Sequence, residues 1–192
     1  MAMTLDELQG LLDKEGIKYF LAPGQPVLMA GFAGMFGHYQ VLIKLEVDGT
    51  FLQFRTLGYL NCEAGHESLD EVLKVIGELN FKTRLMKLGW DPSDGEIVAY
   101  ADIWLVDAKL TLEQLKRMIG NFMPAIDIAH KRIKETIETG RDPGEVDPKV
   151  MFEEVLKKKG SGLPPAVQKL LKKMGKGGDE DGEEERGKVK TL

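Results

Sequence analysis

The chain has 192 residues, 43% hydrophobic and 30% charged, with a formal net charge of -5. That suffices for one domain with its own core plus appendages, and the acidic balance disfavours nucleic-acid binding, which usually needs a basic surplus. A single cysteine, Cys62, rules out an intramolecular disulfide, and with no signal peptide and no uncharged apolar run of about 20 residues a cytoplasmic protein without a membrane span is expected.

Thr4-Leu5-Asp6-Glu7 is a capping box opening a short helix with Leu5, Leu8, Leu11 and Leu12 at helical spacing, ending at Gly16. Pro26–Phe32 reads as a strand. The glycines of Gly31–Gly37 resemble a phosphate loop only in spacing. Such a loop leads into a helix, whereas a strand follows here and no Gly-Lys-Ser/Thr is present, so a flexible hairpin connection or bulge is the preferred reading. Tyr39–Val47 alternates, with Val41, Ile43 and Leu45 on one face. Asp48-Gly49 signals a two-residue type I′ hairpin, and Phe51–Gly58 returns with Leu52, Phe54 and Thr56 inward.

Ser68-Leu69-Asp70-Glu71 is a second capping box, heading a helix with Leu69, Val72, Leu73, Ile76 and Leu79 as its stripe. His66 before it reads as a surface or capping residue. The stretch that organises the chain follows: strand Phe81–Trp90, turn Asp91–Gly95, strand Glu96–Val106, then a long helix opened by the capping box at Thr111. Ile97, Ala99, Ala101, Ile103 and Leu105 belong under the helices. Val98, Tyr100, Asp102 and Trp104 face out. Leu115, Ile119, Phe122, Ile126, Ala129, Ile133 and Ile137 form one stripe, and Pro124 within it predicts a bend near Gly120–Phe122 or two helices meeting there. Beyond Gly140, helices over Asp147–Lys159 and Pro164–Met174 are expected, then a disordered charged tail from Gly175.

No reaction-grade constellation is present. His38, His66 and His130 have no paired spacing, and Cys62 reads as a packed thiol. Asp91, Asp94 and Glu96 are turn chemistry rather than a calcium loop. A non-enzyme with no catalytic residue, cofactor or metal is therefore expected. The lysines between Lys157 and Lys176 could form a nucleic-acid arm. The acidic run Asp179–Glu185 and the lack of interleaved aromatics favour a solvated helix face and polyampholyte tail. The outer sheet face carries Arg55, Arg84, Tyr100, Asp102 and Trp104 beside Met86 and Val98, residue types enriched at interface cores. Two readings stay open for it: a partner surface, or a face covered by the C-terminal helices. A homodimer is a third arrangement.

The residues from Leu79 to Ile126 carry a family likeness: Leu79-Asn80, the basic-apolar Phe81–Met86, the Asp94-Gly95 turn, the strand Ile97–Leu105 and the Thr111-Leu112-Glu113-Gln114-Leu115 helix start. The stretch resembles the YbjN family, whose domain looks like the fold of type III secretion chaperones, and the order of elements extends the likeness to about Leu5–Ile137. The resemblance implies a non-enzymatic, commonly dimeric protein that binds other proteins, and it carries no catalytic residue to transfer.

The expected architecture is α+β: a five-stranded antiparallel sheet (three-stranded meander plus hairpin) with helices on one face, in the order α-βββ-α-ββ-α. The domain covers 1–140, a helical extension 141–174 and a charged tail 175–192. The expected function is a chaperone-like or regulatory adaptor binding a protein or peptide partner, with Arg55, Arg84, Tyr100 and Trp104 as contacts. The alternative is a nucleic-acid-associated regulator using the basic arm.

Overall fold

Thr4 starts the fold as its sequence predicts. Its hydroxyl accepts the Glu7 N–H at 3.3 Å and Glu7 accepts the Thr4 N–H at 3.0 Å, satisfying two amides that no helical carbonyl reaches. The computed structural model describes residues 2–145 except Pro23, Pro26, Val47 and Asp107. In order, these form α1 (Leu5–Lys14), β1 (Tyr19–Leu21), β2 (Val27–Ala33), β3 (His38–Leu45), β4 (Phe51–Leu57), β5 (Leu60–Asn61), α2 (Leu69–Lys82), β6 (Lys87–Trp90), β7 (Glu96–Trp104) and α3 (Leu112–Thr139). The predicted extension helices and tail lie outside the described residues.

The sheet is antiparallel throughout, and β1 to β4 and then β7 are successive neighbours. Tyr100 pairs with Arg55 of β4 and Lys87 of β6, while Ile97 pairs with Leu60 of β5 and Trp90 of β6. Hence β4 and β5 lie in file on one flank of β7, and β6 lies on the other. The file is broken by Gly58 and Tyr59, which bulge out of the ladder. Tyr59 turns inward and donates its hydroxyl to the Ile126 carbonyl of α3 at 2.5 Å. Where β4 leaves β7, the buried Thr56 hydroxyl stands in for the backbone. It accepts the Ala99 N–H at 2.9 Å and donates to the Ala99 carbonyl at 3.3 Å.

One sheet face carries the core. Val41, Ile43, Leu52, Phe54, Ile97 and Ala99 are at most 1% exposed, and they pack with Leu8 and Leu12 of α1, Val72 of α2 and Leu115, Phe122 and Ile126 of α3. The Phe54 and Phe122 rings meet edge to face at 6.3 Å, pinning α3 over the middle of the sheet. The α+β class, the antiparallel sheet, the single helical face and the two-faced pattern of β7 agree with the sequence.

Several local expectations are corrected. The sheet has seven strands, not five. The added strands are two or three residues long, too short to show an alternating pattern. The strand predicted over Phe81–Trp90 is only Lys87–Trp90. Phe81 and Lys82 finish α2, and Thr83 caps it by donating its N–H and its hydroxyl to the Leu79 carbonyl. Met86, assigned to the outer face, is buried in the core. Ser68 forms no capping box, because its hydroxyl reaches across to the Ile137 carbonyl of α3 at 3.0 Å. His66 supplies the local bond instead, accepting the Ser68 N–H at 3.1 Å. Val75, rather than Leu73, belongs to the buried stripe of α2. The β3–β4 hairpin is wider than a two-residue turn, closed by the Glu46 N–H on the Phe51 carbonyl and the Gly49 N–H on the Glu46 carbonyl. Of the two arrangements expected at Pro124, two helices meeting there is excluded, because α3 is one helix through it.

Replacing Thr56 with valine keeps the volume and strips Ala99 of both side-chain partners. A loss of about 1–3 kcal/mol is expected, measured as a lower urea midpoint at unchanged slope.

Candidate interaction surface

α3 is positioned by polar groups on its buried side, none of which the sequence marks as special. Asp127, 4% exposed, enters the β2–β3 connection, where its carboxylate accepts the Met35 N–H at 2.6 Å, the Phe36 N–H at 3.0 Å and the Tyr39 hydroxyl at 2.6 Å. The glycine-rich loop thus does hold an anion, but an internal one. A Cβ on Gly34 would stand 2.3 Å from the Asp127 oxygen, so the site requires glycine. Burial, then the Asp127 bond, raises the Tyr39 phenol far above its usual range, and burial likewise raises Tyr59. His130 sits edge-on to both tyrosine rings and its Nδ1 has no hydrogen bond among the described residues. Burial lowers its pKa, Lys134 adds to that, and Asp127 opposes it. These groups are committed to packing and internal bonding.

Further along α3, Arg132 is 3% exposed. Its Nε donates to Asp142 at 2.8 Å, and its second guanidinium nitrogen donates to Asp142 and, at 2.7 Å, to Glu78 of α2. The guanidinium holds the Asp142 carboxyl below its ordinary 3.8. Cys62 is buried, and burial raises its thiol. Among the described residues no group of His, Cys, Asp and Glu could hold a metal.

With all three helices on one face, the described residues leave the other face of the sheet open. The pairing aligns one residue from each full strand in a row across it: Phe20, Met29, Leu42, Arg55, Tyr100 and Lys87. Phe20 is 59% exposed at one end. Near the other, Arg55 reaches Glu96 at 3.1 Å, and with the half-buried Tyr100 it borders a shallow hollow of about 380 Å³. Trp104, 72% exposed, tilts against Phe51 at 4.8 Å. Arg84 is not on this face. It lies in the connection from α2 to β6, where it and Trp104 line a groove of about 750 Å³ between the end of β7 and the first half of α3. The four expected contact residues therefore divide: Arg55 and Tyr100 on the open face, Arg84 in the groove, and Trp104 where the two meet.

These features define an α+β domain in which an antiparallel sheet carries helices on one face and, among the described residues, leaves the other open. The YbjN family, described as "Putative bacterial sensory transduction regulator", matches residues 4–134, and this chain belongs to it. The crystal structure of YbjN from E. coli is similar in fold: 17% identical, TM-score 0.53, covering 71% of this chain and 92% of that one. A chain of the HopA1–SchA chaperone–effector complex matches at 13% identity and TM-score 0.46, covering 65% of this chain and 90% of that one. No curated protein matches the sequence. Among the described residues no helix is long and apolar enough to cross a membrane.

Asp127→Ala leaves two backbone amides and a buried phenol without their acceptor. A loss of about 2–4 kcal/mol is expected by urea unfolding. Acid supplies a second test. Asp142 and Glu78 titrate lower in the folded protein than their ordinary 3.8 and 4.5, Asp142 chiefly through Arg132 and Glu78 chiefly through Lys82 and then Arg132. As pH falls the unfolded chain protonates first, so their stabilisation is complete above about pH 4.5 and lost as pH drops through the folded values. Arg132→Met should flatten that acid limb of the thermal midpoint.

Proposed function

We propose that this domain is a non-enzymatic protein-binding module, a chaperone-like or regulatory adaptor acting in the cytoplasm. One observation carries the reading: the open sheet face ends in an arginine, a tyrosine and an exposed tryptophan. Aromatic and arginine side chains bury large contact areas at low entropic cost and anchor protein interfaces. The surrounding Phe20, Met29, Leu42 and Leu57 widen the apolar area. Membership of a regulator family is in keeping with this reading. Arg55, Tyr100 and Trp104 are the proposed contacts on the face. A homodimer joined through the same face is an arrangement that light scattering distinguishes.

Tyr100→Ala with Trp104→Ala should leave the cooperative melt in place and weaken capture of a partner from native lysate by at least about tenfold, as expected when aromatic anchors are truncated. Loss of the melt would mean that both side chains belong to the core. A capture that nuclease abolishes would favour the alternative, a nucleic-acid-associated regulator using Lys157–Lys176, which lies outside the described residues.

A further inference from the structure

The sheet edge is closed along β6 and open just past it. Leu88 of β6 turns its backbone polar groups away from β7, and the Asn80 side chain takes both: it accepts the Leu88 N–H at 2.7 Å and donates to the Leu88 carbonyl at 2.9 Å. Lys87 folds back as well, donating to the Asn80 and Thr83 carbonyls at 3.1 and 3.0 Å. That edge is capped against strand addition. β7, however, runs on to Trp104, beyond its last β6 partner, Tyr100. The Leu105 N–H bonds to the Thr50 carbonyl beside β4. By the antiparallel alternation, Asp102 and Trp104 then direct their N–H and carbonyl groups the other way, where no strand pairs with them among the described residues.

The groove of about 750 Å³ lies along this stretch. Among the described residues its lining holds four cations, Lys82, Arg84, Lys109 and Arg117, and no carboxylate. Lys82 pairs with Glu78 and Glu145, Lys109 with Glu7, and Arg117 with Glu113, on carboxylates whose side chains are between 38% and 70% exposed. Exposed pairs contribute little and exchange readily. Arg84 has no ion pair among the described residues. Ile103, Leu110 and Met118 supply apolar lining between the charges.

We propose that this groove binds an extended acidic segment of a partner protein, which adds as a strand to β7 at Asp102–Trp104. Alternate side chains of the segment meet the apolar lining, and its carboxylates face Arg84 and Arg117. The inference rests on the protein-binding reading and gives it the chemistry of the bound segment. Two copies joined groove to groove do not suit the site, because that would set cation against cation.

The test uses full-length protein and three labelled peptides of about eight residues, a length set by the strand spacing. One alternates glutamate with valine, one alternates lysine with valine, and one is the glutamate peptide N-methylated at alternate amides. The acidic peptide should bind and weaken with salt, the lysine peptide should not bind, and N-methylation should abolish binding. Arg84→Glu with Arg117→Glu, both at exposed positions, should lower affinity at least about tenfold with an unchanged melt. Lys74→Glu with Lys134→Glu, the same charge change at exposed positions outside the groove, should leave it intact. Failure of the acidic peptide, equal binding of the lysine peptide, or indifference to Arg84→Glu with Arg117→Glu would overturn the proposal. So would a dimer that this charge-reversed variant converts to monomer. A lysate partner retained by that variant would sink the groove and leave the protein-binding reading standing, whereas no partner at all would sink that reading itself.

Discussion

A helix of 28 residues can lie across a sheet in one register only if the polar groups on its buried side find partners there. α3 buries Asp127 and Arg132 along with its apolar stripe. An unpartnered carboxylate or guanidinium in that position would cost more than the neighbouring aliphatic contacts return. Asp127 is met by two loop amides and a phenol, and Arg132 by Asp142 and Glu78. Sliding α3 by one turn would break both sets at once. The apolar stripe therefore supplies attraction, and the two charges fix position. The β2–β3 connection, α2 and the segment after α3 are all tied to the same helix through these groups.

Fixing α3 on one face makes the two sides of the sheet unlike. The covered face carries the buried core, with Phe54 and Tyr39 among its aliphatic side chains. The other keeps Arg55, Tyr100 and Trp104 at the surface, and the register brings residues from six strands into one row. The strand edges differ as well. Along β6 the Asn80 amide occupies the free backbone groups, while the end of β7 is bordered by cationic side chains instead. An edge open along its whole length would invite self-association.

Much of the fold was legible in the amino-acid sequence. Two of three capping boxes, at Thr4 and Thr111, form as expected. The stripe from Leu115 to Ile137 marks the buried side of α3, and the alternation in β3, β4 and β7 assigns their faces correctly. The failures share a cause. Phe81–Trp90 alternates well enough to read as one strand, yet α2 consumes its first residues because the Thr83 cap and the Asn80 clamp hold the helix end there. Ser68 has the right neighbours for a cap, but a carbonyl 69 residues away competes for its hydroxyl. Of the four expected contacts, Arg84 is displaced from the face by the same shift in boundary.

The sequence alone determined the class of fold, the inward face of each long element and the starts of two helices, because periodicity and capping are local and need only the neighbouring residues. Only the tertiary structure decided that the glycine-rich loop holds an aspartate, that Arg132 joins α2 to the chain beyond α3, and that β7 outruns β6 beside a cationic groove. Those outcomes depend on residues tens of positions apart meeting in space, and no local pattern records which distant partner a buried charge or a free strand edge will find.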